Sequence, residues 1–165
     1  MDHRQKILTL NEALDRRRKL AAEGLRLVFT NGCFDLLHPG HLRYLAEARL
    51  LGDFLLVGLN SDRSVRAIKG GPVPGPPRPI CQEDIRAEML AGLAAVDAVV
   101  IFDEDDPLAI VTALEPDVLV KGGDWPVETM IGAKEVIARG GRALSLPLAE
   151  GFSTTALVAR IMKSL

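Results

Sequence analysis

The residues of this chain best suited to chemistry gather in one stretch, Phe29-Thr30-Asn31-Gly32-Cys33-Phe34-Asp35-Leu36-Leu37-His38-Pro39-Gly40-His41. The apolar run Leu25 to Phe29 carries the β-branched Val28, reads as a short buried strand, and ends in an Asn-Gly turn signal. Two histidines follow as His-x-Gly-His. Pro39 suits the first turn of a helix whose apolar positions are Leu42, Leu45, Ala46 and Leu50. A strand that runs through a Gly-containing turn into a helix start can hold phosphate, because free backbone N–H groups and the positive end of the helix dipole face the anion. The two imidazoles add hydrogen-bond donors at that spot.

A second stretch, Gly151-Phe152-Ser153-Thr154-Thr155, sets hydroxyls at the start of another helix, and Lys69, Arg78 and Arg86 supply cations in or after a Gly/Pro-rich loop. The chain has no Walker lysine motif, no GxGxxG after the first strand and no GxSxG elbow. Its two cysteines, Cys33 and Cys81, have no metal-ligand spacing, and a thiol nucleophile at Cys33 has no base partner beyond the two histidines. Phosphate-binding devices without an evident nucleophile suit phosphoryl-type transfer, in which the protein supplies positioning and charge stabilisation.

Elements must position these groups. A chain of 165 residues, nearly half apolar and a quarter charged, is expected to be one domain spanning 1–165, with residues 1–24 as a helical lead-in. A formal net charge of −2 gives no reason to expect nucleic acid or an anionic membrane as partner. The basic run Arg16-Arg17-Arg18-Lys19 reads as a solvated helix face. No apolar run approaches a membrane span and the first residues lack a signal-peptide pattern. With Cys33 inside the phosphate turn, a reduced, cytoplasmic compartment is expected.

Residues 7–23 read as an amphipathic helix with Ile7, Leu8, Leu10, Leu14 and Leu20 on one face, although Thr9-Leu10-Asn11-Glu12 also resembles a capped start. Strands are expected at 25–30, 54–59, 96–102, 118–120 and 142–146. Helices are expected at about 39–51, 83–93 (Ile85, Met89, Leu90 and Leu93 inward), 107–114 with Asp106 as cap, 129–139, and after 155. The acidic run 103–106 reads as a solvated turn, and the Pro/Gly stretch 69–79 as a surface loop over the ligand edge. Strands alternating with helices call for an α/β, Rossmann-like domain: a five-stranded parallel sheet with helices on both faces. Ligands bind such sheets beyond the C-terminal ends of the strands. The segments 30–41, 60–62, Lys121-Gly122-Gly123-Asp124-Trp125 and 151–155 all fall on that edge, which makes it a nucleotide-sized site.

Gly32 to His41 resembles the GxFDxxHxGH signature of the cytidylyltransferase-like nucleotidyltransferases, and Gly151-Phe152-Ser153-Thr154-Thr155 resembles their Gly-Ile-Ser-Thr-Thr turn, in the same order and at matching separation. Within that family the chain is most similar to the bacterial D-glycero-β-D-manno-heptose 1-phosphate adenylyltransferases, on 29–35, Asn60-Ser61-Asp62, Arg78-Pro79-Ile80, 120–125 and 150–155. The resemblance implies transfer of AMP from ATP to a heptose 1-phosphate, with Mg²⁺ travelling with ATP, in a homodimer. It further implies roles for individual residues. Asn31, Gly32 and the backbone of Cys33 and Phe34 would meet the nucleotide. His38 and His41 would hydrogen-bond the α-phosphate. Lys69 would reach the phosphates, and Arg86 the acceptor's phosphate or the triphosphate. Gly122, Gly123, Asp124 and Trp125 would line the ribose and base. Gly151, Ser153, Thr154 and Thr155 would hold the β- and γ-phosphates. Asp35 would orient the turn or simply cap it.

Leu148 and Ala149 stand where cytidylyltransferases of glycerol- or choline-type phosphates carry Arg-Thr, which argues against CTP. Cys81-Gln82 replaces the Asn-Pro usual in the heptose enzymes, and the loop 70–77 is longer and richer in proline than theirs. Another acceptor on the same fold, such as glycerol phosphate with CTP or FMN with ATP, stays open, as does a catalytically silent nucleotide-binding regulator.

Overall fold

The computed structural model describes residues 2–70, 76–123, 125–147 and 151–164. Six strands form one parallel sheet: β1 (Ile7–Leu8), β2 (Leu27–Gly32), β3 (Phe54–Asn60), β4 (Ala98–Phe102), β5 (Val118–Gly122) and β6 (Arg142–Leu146), in the order β1-β4-β3-β2-β5-β6. Among the described residues six α-helices connect them, α1 (Leu10–Ala22), α2 (Pro39–Arg49), α3 (Asp62–Lys69), α4 (Glu83–Ala91), α5 (Leu108–Leu114) and α6 (Ala133–Ala138), and α7 (Thr154–Lys163) follows β6. The Rossmann-like class holds, with six strands rather than five.

Both faces of the sheet are apolar, and the two-residue period of the strands sorts their side chains between two cores. Leu27, Phe29, Leu56, Val100 and Leu119 face α1, α5 and α6, packing with Leu20, Val111, Leu114 and Val136. Their neighbours Val28, Leu55, Val57, Val99, Val118 and Val120 face α2 and α4, packing with Leu45, Ala48, Ala87 and Leu90. Continuous apolar runs are therefore what the strand sequences require.

Several expectations are corrected. Ile7 and Leu8 are not helical. They form the edge strand β1, paired with Val99 and Val100 of β4, and Lys6 Nζ donates to Val96 O (2.7 Å) and Leu93 O (3.2 Å) to tie it down. The helix begins after Thr9, which closes a capping box: Glu12 N–H donates to Thr9 Oγ1 (3.3 Å) and Thr9 N–H to Glu12 Oε2 (2.8 Å). Helix α3, unforeseen, is capped by the Ser61 hydroxyl, which accepts from Ser64 N–H (3.1 Å). The 129–139 helix is shorter: a 3₁₀ turn at Val127–Thr129 precedes it, and Gly132 at φ 90° separates the two. Helix α5 starts at Leu108, with Asp106 Oδ1 accepting its N–H (2.8 Å). In α4 the buried residues are Arg86, Ala87, Leu90 and Ala91, whereas Ile85 and Met89 are exposed. Similarly α2 buries Tyr44, Leu45 and Ala48 and leaves Leu42 and Leu50 outside. In α4 the inward face is offset from the expected one by about one position, because the buried guanidinium of Arg86 occupies a slot that hydrophobicity assigns to Ile85.

Arg17 is not a solvated cation. It pairs with both oxygens of Asp117 (2.9 and 3.1 Å), which also accepts from Leu27 N–H (2.7 Å), so α1 is fastened to the starts of β2 and β5.

Candidate active site

A cleft of about 610 Å³ opens at the C-terminal ends of the strands. Its floor is the β2–α2 turn. Asn31 and Gly32, expected as the turn itself, are the last two residues of β2; the reversal follows at Cys33 and Phe34, and Phe34 adopts a left-handed φ of 42°. His38 is the N-cap of α2 and makes no side-chain cap, with Pro39 in the first helical turn. The His38 and His41 rings stack with centroids 3.8 Å apart and an interplanar angle of 18°. Phe34 tilts against His41 at 5.3 Å, and Phe152 stacks on the far side of His38 at 6.3 Å. A Cβ at residue 40 would lie 3.0 Å from the His38 ring and 3.3 Å from Phe152 Cβ, so the glycine of the motif is what lets the ring lie there. Tyr44 locks α2 in place: its hydroxyl is 2.5 Å from Thr30 Oγ1 and donates to Val120 O (3.2 Å).

Both Nδ1 atoms, of His38 and of His41, are buried without a hydrogen-bond partner among the described residues. Burial depresses both imidazoles, and the neighbouring His38 charge adds to the effect on His41, which is pushed down to about 4. At neutral pH the pair is therefore uncharged, each ring carrying one N–H to give. The Cys33 thiol is pushed up, mainly by burial, against the pull of Lys69, Arg86 and Arg78. It stays protonated at neutral pH, which removes it as a nucleophile. The Lys121 ammonium is lowered, mainly by burial and also by Lys69, with Cys33 acting in the opposite direction.

The structure brings Asn31, Gly32, Cys33, Phe34, His41, Lys69, Gly122, Trp125, Thr154 and Thr155 together on the cleft wall, with His38 stacked directly behind His41. Gly123, at φ 113°, donates its N–H to Leu146 O (2.8 Å), and a Cβ there would come within 2.9 Å of Trp125 Nε1. Trp125 is half exposed; its indole N–H donates to Gly122 O (3.2 Å). Gly151 (φ 81°) leads into α7, where the Ser153 hydroxyl is engaged as cap, accepting from Ala156 N–H (3.0 Å), which leaves Thr154 and Thr155 as the residues of this turn that line the cleft. Asp124, Leu148 and Ala149 lie outside the described residues.

Arg86 is the main departure. Expected on a substrate phosphate, it is 1% exposed and sits behind the turn. Its Nε donates to Cys81 O (2.9 Å), Nη1 to Cys33 O (2.6 Å) and Asn60 O (2.9 Å), and Nη2 to Asp62 Oδ1 (2.7 Å). Four acceptors consume a guanidinium that carries five N–H groups, so it shapes the floor instead of reaching the ligand.

Sequence reasoning missed Asp105, Asp106, Pro107, Thr129, Met130 and Ile131, all on the cleft wall. Asp105 and Asp106 follow the C-terminal end of β4. The rule that ligands lie beyond strand ends would have found them had it been applied to that strand.

Residues 29–160 match the family described as Cytidylyltransferase-like, and the chain belongs to it. It is a nucleotidyltransferase domain of that family, in keeping with the paired histidines of the cleft. It is 51% identical over 154 residues to the bifunctional protein HldE of Hyphomonas neptunium and 54% identical over 157 residues to that of Rhodopseudomonas palustris, matches that take in 93% and 94% of this chain. The chain spans 31% of the length of each of these relatives. Among solved structures it resembles the lipopolysaccharide core biosynthesis protein of Thermoplasma volcanium (TM-score 0.57, 28% identity, 76% of this chain and 98% of that one). The pantoate-beta-alanine ligase of Francisella tularensis (TM-score 0.58, 13% identity, 96% and 78% covered) shares the fold. No helix among the described residues is long and apolar enough to cross a membrane.

Proposed function

We propose that the chain transfers AMP from ATP to D-glycero-β-D-manno-heptose 1-phosphate, giving ADP-heptose and pyrophosphate for lipopolysaccharide core synthesis. The observation that carries the transfer chemistry is the stacked, uncharged His38–His41 pair with its buried, unpartnered Nδ1 atoms, set in a cleft with Lys69, Arg78 and Lys121. The acceptor's phosphate oxygen attacks the α-phosphorus of ATP, a P–O bond forms, the bond to the β-phosphate's bridging oxygen breaks, and pyrophosphate leaves. A sugar phosphate is largely a dianion at neutral pH, so the step needs no general base. The histidines act as N–H donors to the α-phosphate as charge grows on its oxygens, and the Lys69 and Lys121 ammonium groups neutralise the rest. Phosphates arriving beside the imidazoles raise their basicity, so a proton taken up from solvent strengthens the same contacts.

Mg²⁺ belongs to this reading as a companion of ATP. No three His, Cys, Asp or Glu side chains converge into a cage among the described residues, so phosphate oxygens and water would be its ligands. The choice of heptose is supported by the relatives named HldE, by the lipopolysaccharide core neighbour and by the Lys121-to-Trp125 turn. The test is pyrophosphate release from ATP plus D-glycero-β-D-manno-heptose 1-phosphate, measured beside CTP plus glycerol 3-phosphate and ATP plus FMN. Release with the first pair alone is expected. Release only with another pair replaces the acceptor, and ATP binding without release from any pair makes the chain a regulator. A homodimer is part of the same proposal, and light scattering giving a monomer mass would remove it.

A further inference from the structure

Arg78 lines the cleft, and its two terminal nitrogens make no hydrogen bond to any described residue. Its Nε is engaged: it donates to Asp35, whose carboxylate is completely buried. The same carboxylate accepts the backbone N–H groups of Ile80 (2.9 Å) and Cys81 (2.8 Å). From behind, Arg86 bonds the carbonyls of Cys81 and Cys33. Two buried side chains of opposite charge thus lash the segment 78–81 to the turn 33–35.

A carboxylate this well supplied with donors has no use for a phosphate and would repel one. What it does is fix a guanidinium. Held through Nε, Arg78 keeps Nη1 and Nη2 as a planar fork with the spacing of two phosphate oxygens. The topology says which phosphate. Lys121, Gly122 and Trp125 reach the cleft after β5 and Thr154 and Thr155 after β6, on one flank of β2, whereas Arg78 comes after β3 and α3, on the other. In-line displacement puts the attacking oxygen opposite the departing pyrophosphate.

We infer that Asp35 is a positioning residue that aims Arg78 as a rigid two-pronged grip on the acceptor's phosphate, coupling that grip to the turn that holds the α-phosphate. This deepens the nucleotidyl-transfer reading above and rests on it. The probe is inorganic phosphate, titrated into protein saturated with α,β-methylene-ATP and followed by the fluorescence of Trp125, the single tryptophan, which lines the cleft. Arg78→Ala weakens phosphate binding about tenfold or more, the scale of lost charge-assisted hydrogen bonds, and Asp35→Asn weakens it comparably. The double variant is no weaker than Arg78→Ala alone within about twofold, and affinity for the ATP analogue holds within about threefold throughout, because one group acts through the other.

Losses that multiply in the double variant, a wild-type protein that binds no phosphate, or a defect confined to the ATP analogue overturns the assignment. If Asp35→Asn does not fold, Arg78→Lys decides. It keeps the charge without the fork and should recover less than half of the lost affinity on a logarithmic scale; wild-type binding by that variant overturns the grip. Phosphate titration needs neither the correct sugar nor turnover. Failure of heptose 1-phosphate to release pyrophosphate would therefore leave this result standing, and failure here would leave the substrate assignment standing.

Discussion

Two sets of buried polar groups flank the β2–α2 turn, and they are built on opposite plans. At the helix end of the turn, the Nδ1 atoms of His38 and His41 are buried without partners among the described residues, and the rings carry no charge. At the other end, Asp35 and Arg86 are buried with charge, and protein groups meet them on several sides. Buried polar atoms in folded proteins are almost always satisfied, so the satisfied set reads as scaffold and the unsatisfied set as the place a ligand completes. Charge by itself would have pointed the wrong way, since Arg86, the most deeply buried charged side chain among the described residues, has its donors already taken by protein acceptors.

This contrast can be broken by substitution. Arg86→Ala strands the carbonyls of Cys33, Cys81 and Asn60 and leaves Asp62 without its partner; it should cost about 3–5 kcal/mol of stability in urea unfolding, as for other broken buried pairs. Unchanged stability would mean that Arg86 is not scaffold. His41→Ala should lower turnover by a hundredfold or more, about 2.7–4 kcal/mol of transition-state stabilisation, while leaving the urea midpoint close to that of the wild type. Near-normal turnover would take His41 out of the mechanism.

A smaller effect sharpens the same point through pH. Folded His41 binds its proton only near pH 4, whereas an ordinary histidine binds it near 6.5. As pH falls the unfolded chain takes up that proton first, so the stability associated with neutral His41 is whole above 6.5 and declines toward 4. His41→Gln should flatten the decline by about 1–2 kcal/mol, a figure reduced for the partial exposure of the site. Parallel stability curves for the two proteins between pH 4 and 7 would show that His41 is not held neutral by burial. The smallest change expected is Tyr44→Phe. It removes the hydroxyl between Thr30 and Val120 and should cost about 1 kcal/mol in thermal unfolding, with a modest rise in KM as α2 loosens.

Much of this was legible from residues alone. The strands expected at 54–59 and 142–146 and the helix from Pro39 are present because continuous apolar runs and a proline at a helix start leave few alternatives. The two-residue β1 was not legible, since Ile7 and Leu8 are continuous with a helical pattern and owe their extended form to β4 alongside. Of the residues that line the cleft, Asn31 to Phe34, His41, Thr154 and Thr155 were legible from the two signature turns. The cations were not assignable: Lys69, Arg78 and Arg86 looked alike in a Gly/Pro-rich neighbourhood, and only the fold separates one that is enclosed from two that line the cleft.

Type and spacing of residues, by themselves, determined the alternation of strands and helices and marked 31–41 and 151–155 as candidate phosphate turns at helix starts. Those features follow from local backbone preference and short-range pattern, which need no partner from elsewhere in the chain. Tertiary structure alone decided that the histidines are neutral, that Arg86 is scaffold and that Asp35 faces Arg78. Burial and charge pairing depend on groups 24 to 53 residues apart in sequence, brought together only when the sheet closes.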